Sequence, residues 1–119
     1  MGQEELTDVL RKLARSDPVL ASPTRLAIML LLAIRHKMYF SELQKALGLT
    51  PGNLGSHLRK LEEAGYVRTR KVLTRIRPLT LVVLLEEGEV ALYRHLGLLR
   101  EALRSLRSEQ GAWRMPAHR

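Results

Sequence analysis

Apolar positions along this chain follow a helical period, then an alternating one, then a heptad, and the changes of period mark its elements. Leu6, Val9, Leu10 and Leu13 share one face of an amphipathic helix over Glu4 to Arg15. Asp17-Pro18 interrupts it. Ser22-Pro23 then starts a second helix, serine as N-cap and proline at the first helical position, where its missing N–H costs nothing. That helix is apolar nearly all round between Leu26 and Ile34, which predicts a place at the centre of the domain. Met38-Tyr39-Phe40 reads as a short extended piece.

Two short helices follow, from Ser41 to Gly65: SELQKALGLTPGNLGSHLRKLEEAG. Ser41 is the expected N-cap of the first, with Glu42 in its first turn and Leu43, Ala46 and Leu47 on its apolar face. Gly48 ends it, and Leu49 fills the space between the helices. Thr50-Pro51 repeats the cap-plus-proline start. Leu54, Leu58 and Leu61 recur at helical spacing as one buried stripe, and Gly65 closes the helix in the left-handed conformation. This pattern predicts a helix-turn-helix, whose second helix is of the kind that enters the major groove of DNA.

After Gly65 the period shortens to two. Tyr66 to Val72 reads as a strand with Val67 and Thr69 on one face and Arg68 and Arg70 on the other. Leu73 to Pro78 is a basic turn, and Leu79 to Leu85 a second strand. The pair forms a wing beside the helix-turn-helix. From Glu86 to about Leu106 a long helix carries Leu92, Leu96, Leu99, Leu103 and Leu106 as a heptad seam. The seam requires another helix, either the first of its own chain or one from a second subunit. A dimer using Leu6, Val9, Leu10 and Leu13 together with those five leucines is the favoured reading. The expected fold is mainly α with a small β-hairpin: one winged helix-turn-helix domain over residues 1–107 (helix-turn-helix 41–65, wing 66–85, C-terminal dimerisation helix 86–107). Residues 108–119 read as a flexible tail that Trp113 would anchor.

If the stripe of leucines is buried, Asn53, Ser56, His57 and Lys60 stand on the opposite face, positioned to approach base edges. Charge strengthens this reading. The chain carries a net charge of +8. Between Thr50 and Pro78, Arg59, Lys60, Arg68, Arg70, Lys71, Arg75 and Arg77 face only Glu62 and Glu63. Such a cluster favours an anionic partner. Thr50, Arg59, Arg68, Arg70, Arg75 and Arg77 are the candidates for phosphate or minor-groove contact.

Other chemistry finds little support. The absence of cysteine excludes disulfides, thiolate metal sites and cysteine nucleophiles. His36, His57, His95 and His118 lack zinc-site spacing, and no glycine-rich phosphate loop follows a strand. His36 reads as a helix-end residue and His95 as a surface or interface one. No enzyme activity, metal or cofactor is expected. With no signal pattern and no apolar run near 18 residues, the expected location is cytoplasmic, away from membranes.

The order of elements resembles the winged helix-turn-helix transcription regulators of the MarR/ArsR type, closest to small single-domain prokaryotic members. The resemblance rests on Asp17-Pro18-Val19 with Ser22-Pro23-Thr24-Arg25-Leu26, on LGLTPGNLGSHLRKLEEAGYV from Leu47 to Val67, and on Arg77-Pro78 with Gly88. It implies a homodimer on a pseudo-palindromic operator, often as a repressor. The chain departs from that pattern twice. Gly55 stands where serine is usual, at up to about 1 kcal/mol of helix propensity. The second wing strand is apolar on both faces, with Thr80, Val82 and Leu84 expected inward and Leu79, Leu81, Val83 and Leu85 outward. Such a strand should be covered by a partner subunit, the tail or another protein. Metal sensing of the ArsR kind is unsupported without cysteine ligands. The leading reading is a dimeric, sequence-specific double-stranded DNA-binding regulator with no identified effector. Its rivals are a winged-helix module that binds protein through the apolar strand, and a non-specific architectural or RNA-binding protein.

Overall fold

The computed structural model describes residues 3–110, which form five helices and a three-stranded antiparallel sheet. In chain order these are α1 (Gln3–Ala14), α2 (Pro23–Arg35), β1 (Lys37–Tyr39), α3 (Phe40–Leu47), α4 (Pro51–Glu63), β2 (Val67–Val72), β3 (Leu79–Leu84) and α5 (Glu86–Gln110). Two compact units divide them: residues 17–93, and the segments up to Ser16 and from Arg94 onward. The readings that fall on Trp113, His118 and the rest of residues 111–119 lie outside the described residues.

The helix starts follow the sequence chemistry at two of three places. Ser22 Oγ accepts the Arg25 N–H at 3.2 Å, and Thr50 Oγ1 accepts the Asn53 N–H at 3.1 Å. Each cap is worth about 1 kcal/mol. Ser41 is not the third. The N-cap of α3 is Tyr39, whose N–H donates to Glu42 Oε1 at 2.9 Å, and Ser41 lies exposed inside the first turn. The Glu42 carboxylate, three residues on, completes the start that a serine hydroxyl was expected to make.

α4 ends as its glycine requires. Gly65 has φ +81°, its N–H donates to Glu62 O, and the Tyr66 N–H donates to Leu61 O. These paired bonds satisfy the last carbonyls and turn the chain into β2. His36 makes another sharp turn with φ +68°, unusual for a side-chain-bearing residue. Its N–H bonds Leu32 O at 2.6 Å and its carbonyl accepts the Leu84 N–H at 2.9 Å, so both ends of this turn are held.

The sheet corrects the hairpin expectation. Its order is β1-β3-β2, with Met38 opposite Val82 on one side and Thr69 opposite Val82 on the other. The apolar second wing strand is therefore central. Val82 is fully buried, Leu81 nearly so, and Leu79, Thr80, Val83 and Leu84 are half-buried. Its cover comes from its own chain. Leu81 is flanked in register by Tyr39 and Arg70, and Val83 by Lys37 and Arg68, residues long enough for their stems to lie along apolar neighbours.

The core of residues 17–93 gathers Leu20, Ile28, Met29, Leu32, Met38, Leu43, Leu54, Leu58, Leu61, Val67, Val82 and Leu92. α2 is less central than its composition implies. Ile28, Met29 and Leu32 are buried, but Leu30 and Ile34, four residues apart on another face, are 40% and 75% exposed. The remaining elements of this small unit pack against one side of α2 only.

Burial varies along the heptad seam of α5. Leu92 is buried, Leu96 and Leu106 are half-buried, and Leu99 and Leu103 are exposed. In the terminal unit Val9, His95 and Ser105 are buried, Leu6 and Leu13 half-buried, and Leu10 exposed. His95 thus lies inside, and its Nδ1 has no hydrogen-bond partner among the described residues.

Two glycines should respond oppositely to alanine. A Cβ on Gly88 would lie 2.9 Å from the Tyr66 Cα and carbonyl carbon, backbone that cannot yield cheaply. Gly55, by contrast, has nothing within 4 Å of the same position. Urea unfolding should show Gly88→Ala destabilised by about 2 kcal/mol or more. Gly55→Ala should be stabilised by up to about 1 kcal/mol.

Candidate nucleic-acid interface

α4 is pinned on one side by Leu54, Leu58 and Leu61, each buried. Each contributes about 1.5–3 kcal/mol of apolar burial, enough to fix the rotation of a 13-residue helix. The opposite face then follows from helical geometry. Asn53, Ser56, Arg59 and Lys60 are exposed there and His57 is half-buried, with Thr50 exposed at the tip.

The wing belongs to the same compact unit, and its strand β2 packs against α4. Arg68 and Arg70 are exposed on one face of β2, and Lys71 donates to Thr80 Oγ1 at 3.2 Å across the ladder. Glu62, one of the two acids in this basic stretch, accepts from the Thr69 N–H and hydroxyl, joining the end of α4 to β2. At the tip Thr74 Oγ1 accepts from the Ile76 and Arg77 N–H groups at 3.2 and 3.1 Å and donates to Arg77 O at 2.5 Å. This brace shapes the turn that presents Arg75 and Arg77, both exposed. It also leaves Leu73 and Ile76 exposed at 83% and 90%.

Sequence reasoning assigned no role to the support behind α4. Arg25, on α2, donates through Nε to Val19 O at 2.6 Å, and its guanidinium reaches His57 Nδ1 at 3.2 Å. Asp17 Oδ1 accepts the Val19 N–H at 2.8 Å, and its other carboxylate oxygen accepts the Tyr66 hydroxyl. A chain of polar contacts thus runs from the start of β2 through the loop at residues 17–20 to the exposed face of α4. Asp17 and Arg25 stand in the segment that carried the family resemblance, which was the available clue. Their partners lie 49 and 32 residues away in sequence.

Comparison with known proteins agrees with this geometry. Residues 24–103 match the family described as a winged helix DNA-binding domain. An uncharacterised protein of Methanocaldococcus jannaschii is 40% identical over 70 residues, covering 59% of this chain and 76% of that protein. The solved structure of a transcriptional regulator homologue from Pyrococcus horikoshii superposes with a TM-score of 0.75 at 40% identity, covering 87% of this chain and 98% of that one. A putative transcriptional regulator from Pseudomonas aeruginosa gives a TM-score of 0.61 at 30% identity, covering 87% of this chain and 68% of that one. A MarR-family regulator from Rhodococcus shares the fold at 18% identity, with a TM-score of 0.63 and coverage of 87% and 71%. The chain belongs to the winged helix DNA-binding domain family, with the fold of MarR-type regulators. It is a DNA-binding regulator by class. Among the described residues no helix is long and apolar enough to cross a membrane, and no three His, Asp or Glu side chains gather as a metal site.

His57 gives this face a pH dependence. Partial burial first, then the positive charges of Arg25 and Lys60, hold its imidazole below the ordinary value of 6.5. The unfolded chain therefore binds more protons in the window below 6.5. Stability held by the neutral ring is present above that window and is lost as pH falls through the folded value. Urea midpoints measured between about pH 7.5 and about pH 5.5 should fall more in the native protein than in His57→Gln.

Proposed function

We propose that the chain is a sequence-specific double-stranded DNA-binding transcriptional regulator that acts as a homodimer, most simply as a repressor, and not as an enzyme. The observation that carries the reading is the pairing of one exposed helix face with a braced basic turn. Asn53, Ser56, His57 and Lys60 lie opposite the buried leucines of α4, and Arg75 and Arg77 are exposed at the Thr74-held wing tip. In this reading the α4 residues read base edges in the major groove. Thr50, Arg59, Arg68, Arg70, Arg75 and Arg77 hold phosphates or the minor groove.

The rival module would bind protein through the apolar second wing strand, and β3, hydrogen-bonded on both sides, offers it apolar side chains but no free edge. A non-specific binder remains the contrast for experiment.

Selection from a random duplex pool, followed by gel-shift titration, tests the proposal. A preferred two-fold site is expected, and no affinity for any duplex at low salt would sink it. Arg75→Ala with Arg77→Ala should weaken binding to every sequence and reduce the salt slope by about 1 for each phosphate no longer held. Asn53→Ala should instead relax preference at particular base pairs, at about 1–3 kcal/mol for each well-placed hydrogen-bonded base it no longer reads.

The proposed dimer uses the exposed leucines of α1 and α5, whereas Leu92 is taken up by the core of its own chain. Leu10, Leu99 and Leu103 are 47%, 38% and 47% exposed, an apolar set on helices whose other leucines are covered to a greater degree. Leu99→Glu with Leu103→Glu should give a monomer in sedimentation velocity while the wild-type chain sediments as a dimer. A monomeric wild type at micromolar concentration would remove this part of the proposal.

A further inference from the structure

We propose that Arg25 is a specificity-determining positioning residue: it locks His57 of α4 as the neutral tautomer with its proton on Nε2, so that the helix offers a hydrogen-bond donor, and no acceptor, to the base edge. The proposal rests on the DNA-binding reading of α4 and deepens it.

A guanidinium carries five N–H donors, has no acceptor and stays charged at any ordinary pH. Arg25 Nη1 lies 3.2 Å from His57 Nδ1. The contact is a hydrogen bond only if Nδ1 supplies the lone pair. The ring is then neutral, and its single proton is on Nε2. Both charges acting on the ring, Arg25 from α2 and Lys60 from its own helix, are positive and oppose a second proton.

Arg25 is itself held. Its Nε donates to Val19 O at 2.6 Å, and Val19 is tied to Asp17, which also takes the Tyr66 hydroxyl. The guanidinium, carried on α2 and tied to the loop at residues 17–20, therefore meets His57 from a held position rather than from a free surface one. Nε2 is separated from Nδ1 by one ring carbon and points in a different direction from the Arg25 contact, and no hydrogen bond to it is found among the described residues.

The consequence is a chemical preference. Guanine N7 and O6, adenine N7 and thymine O4 are major-groove acceptors, whereas cytosine presents a donor. A locked donor at His57 favours the first group and disfavours cytosine at the base it meets.

The test has two arms on the full chain. Long-range nitrogen–proton NMR of the DNA-free wild-type protein near neutral pH should show His57 with Nε2 protonated and Nδ1 unprotonated. The midpoint of its titration should rise in Arg25→Met. Protonation on Nδ1 in the wild type, which needs no variant to observe, overturns the lock. So does a titration unmoved by Arg25→Met in protein that melts as a folded chain.

The second arm selects duplexes from a random pool with each protein. The wild type should exclude cytosine at one position per half-site, by about fivefold, the scale of one hydrogen bond. Arg25→Met should lose that exclusion while keeping the rest of the site. Retained exclusion in Arg25→Met overturns the specificity role. An intact lock in a wild-type protein that binds no duplex overturns both the DNA reading and the base preference built on it, and leaves the tautomer result standing.

Discussion

The ladder that pairs β3 on both edges sets the geometry of everything the protein would present to DNA. β1 is three residues long and leads directly into α3. Its register with β3, Lys37 opposite Val83 and Tyr39 opposite Leu81, ties the entry of the helix-turn-helix to the inner strand of the wing. Without β1, β3 would be an apolar edge, open to pairing with another chain. With it, wing and helix-turn-helix share one sheet. A short edge strand thus closes the open edge of β3 from within the chain.

The second constraint is the way α4 is held at both ends and from behind. Thr50 fixes its start and the Gly65 turn its end. Tyr66, directly after that turn, gives its hydroxyl to Asp17, while its backbone carbonyl accepts the Leu85 N–H and lies against Gly88. One residue therefore meets the loop before α2, the end of β3 and the first turns of α5. A side chain at Gly88 would push on that junction. This is a packing reason for a glycine inside a helix, where propensity alone argues against one. Gly55 has no such reason. Its surroundings are open, so its presence on α4 owes nothing to crowding within the chain.

Most of the helix-turn-helix was legible because local chemistry determines it. Caps, the Pro51 start, the Leu54–Leu58–Leu61 stripe and the Gly65 stop all act within a few residues of one another. The failures share a cause. Ser41 lost the N-cap because Glu42 meets the Tyr39 N–H from inside the helix, a competition between two good cappers that composition cannot rank. β1 reads as an extended piece without a partner, because its partner lies more than 40 residues on. The face of α2 bearing Leu30 and Ile34 reads as buried because apolar content says what a helix can bury, not how many neighbours a small unit has to offer. Arg25 fell outside the candidate site for the same reason, since nothing local to it points to His57.

That last omission bears on how such a surface is read. The proposed base-facing set of α4, Asn53, Ser56, His57 and Lys60, carries donors and acceptors in several combinations. Only the residue behind the helix removes an option, because a guanidinium admits one protonation state of the imidazole it meets. Side-chain chemistry at an interface is thus set partly by groups that need not touch the ligand, as outer-layer partners fix the tautomer of metal-bound histidines. The exposed face of α4 supplies the candidate contacts, and Arg25 on α2, held by the loop at residues 17–20, limits which of them His57 can make. A sequence that kept every exposed residue of α4 and changed Arg25 would present the same surface with a different chemical vocabulary.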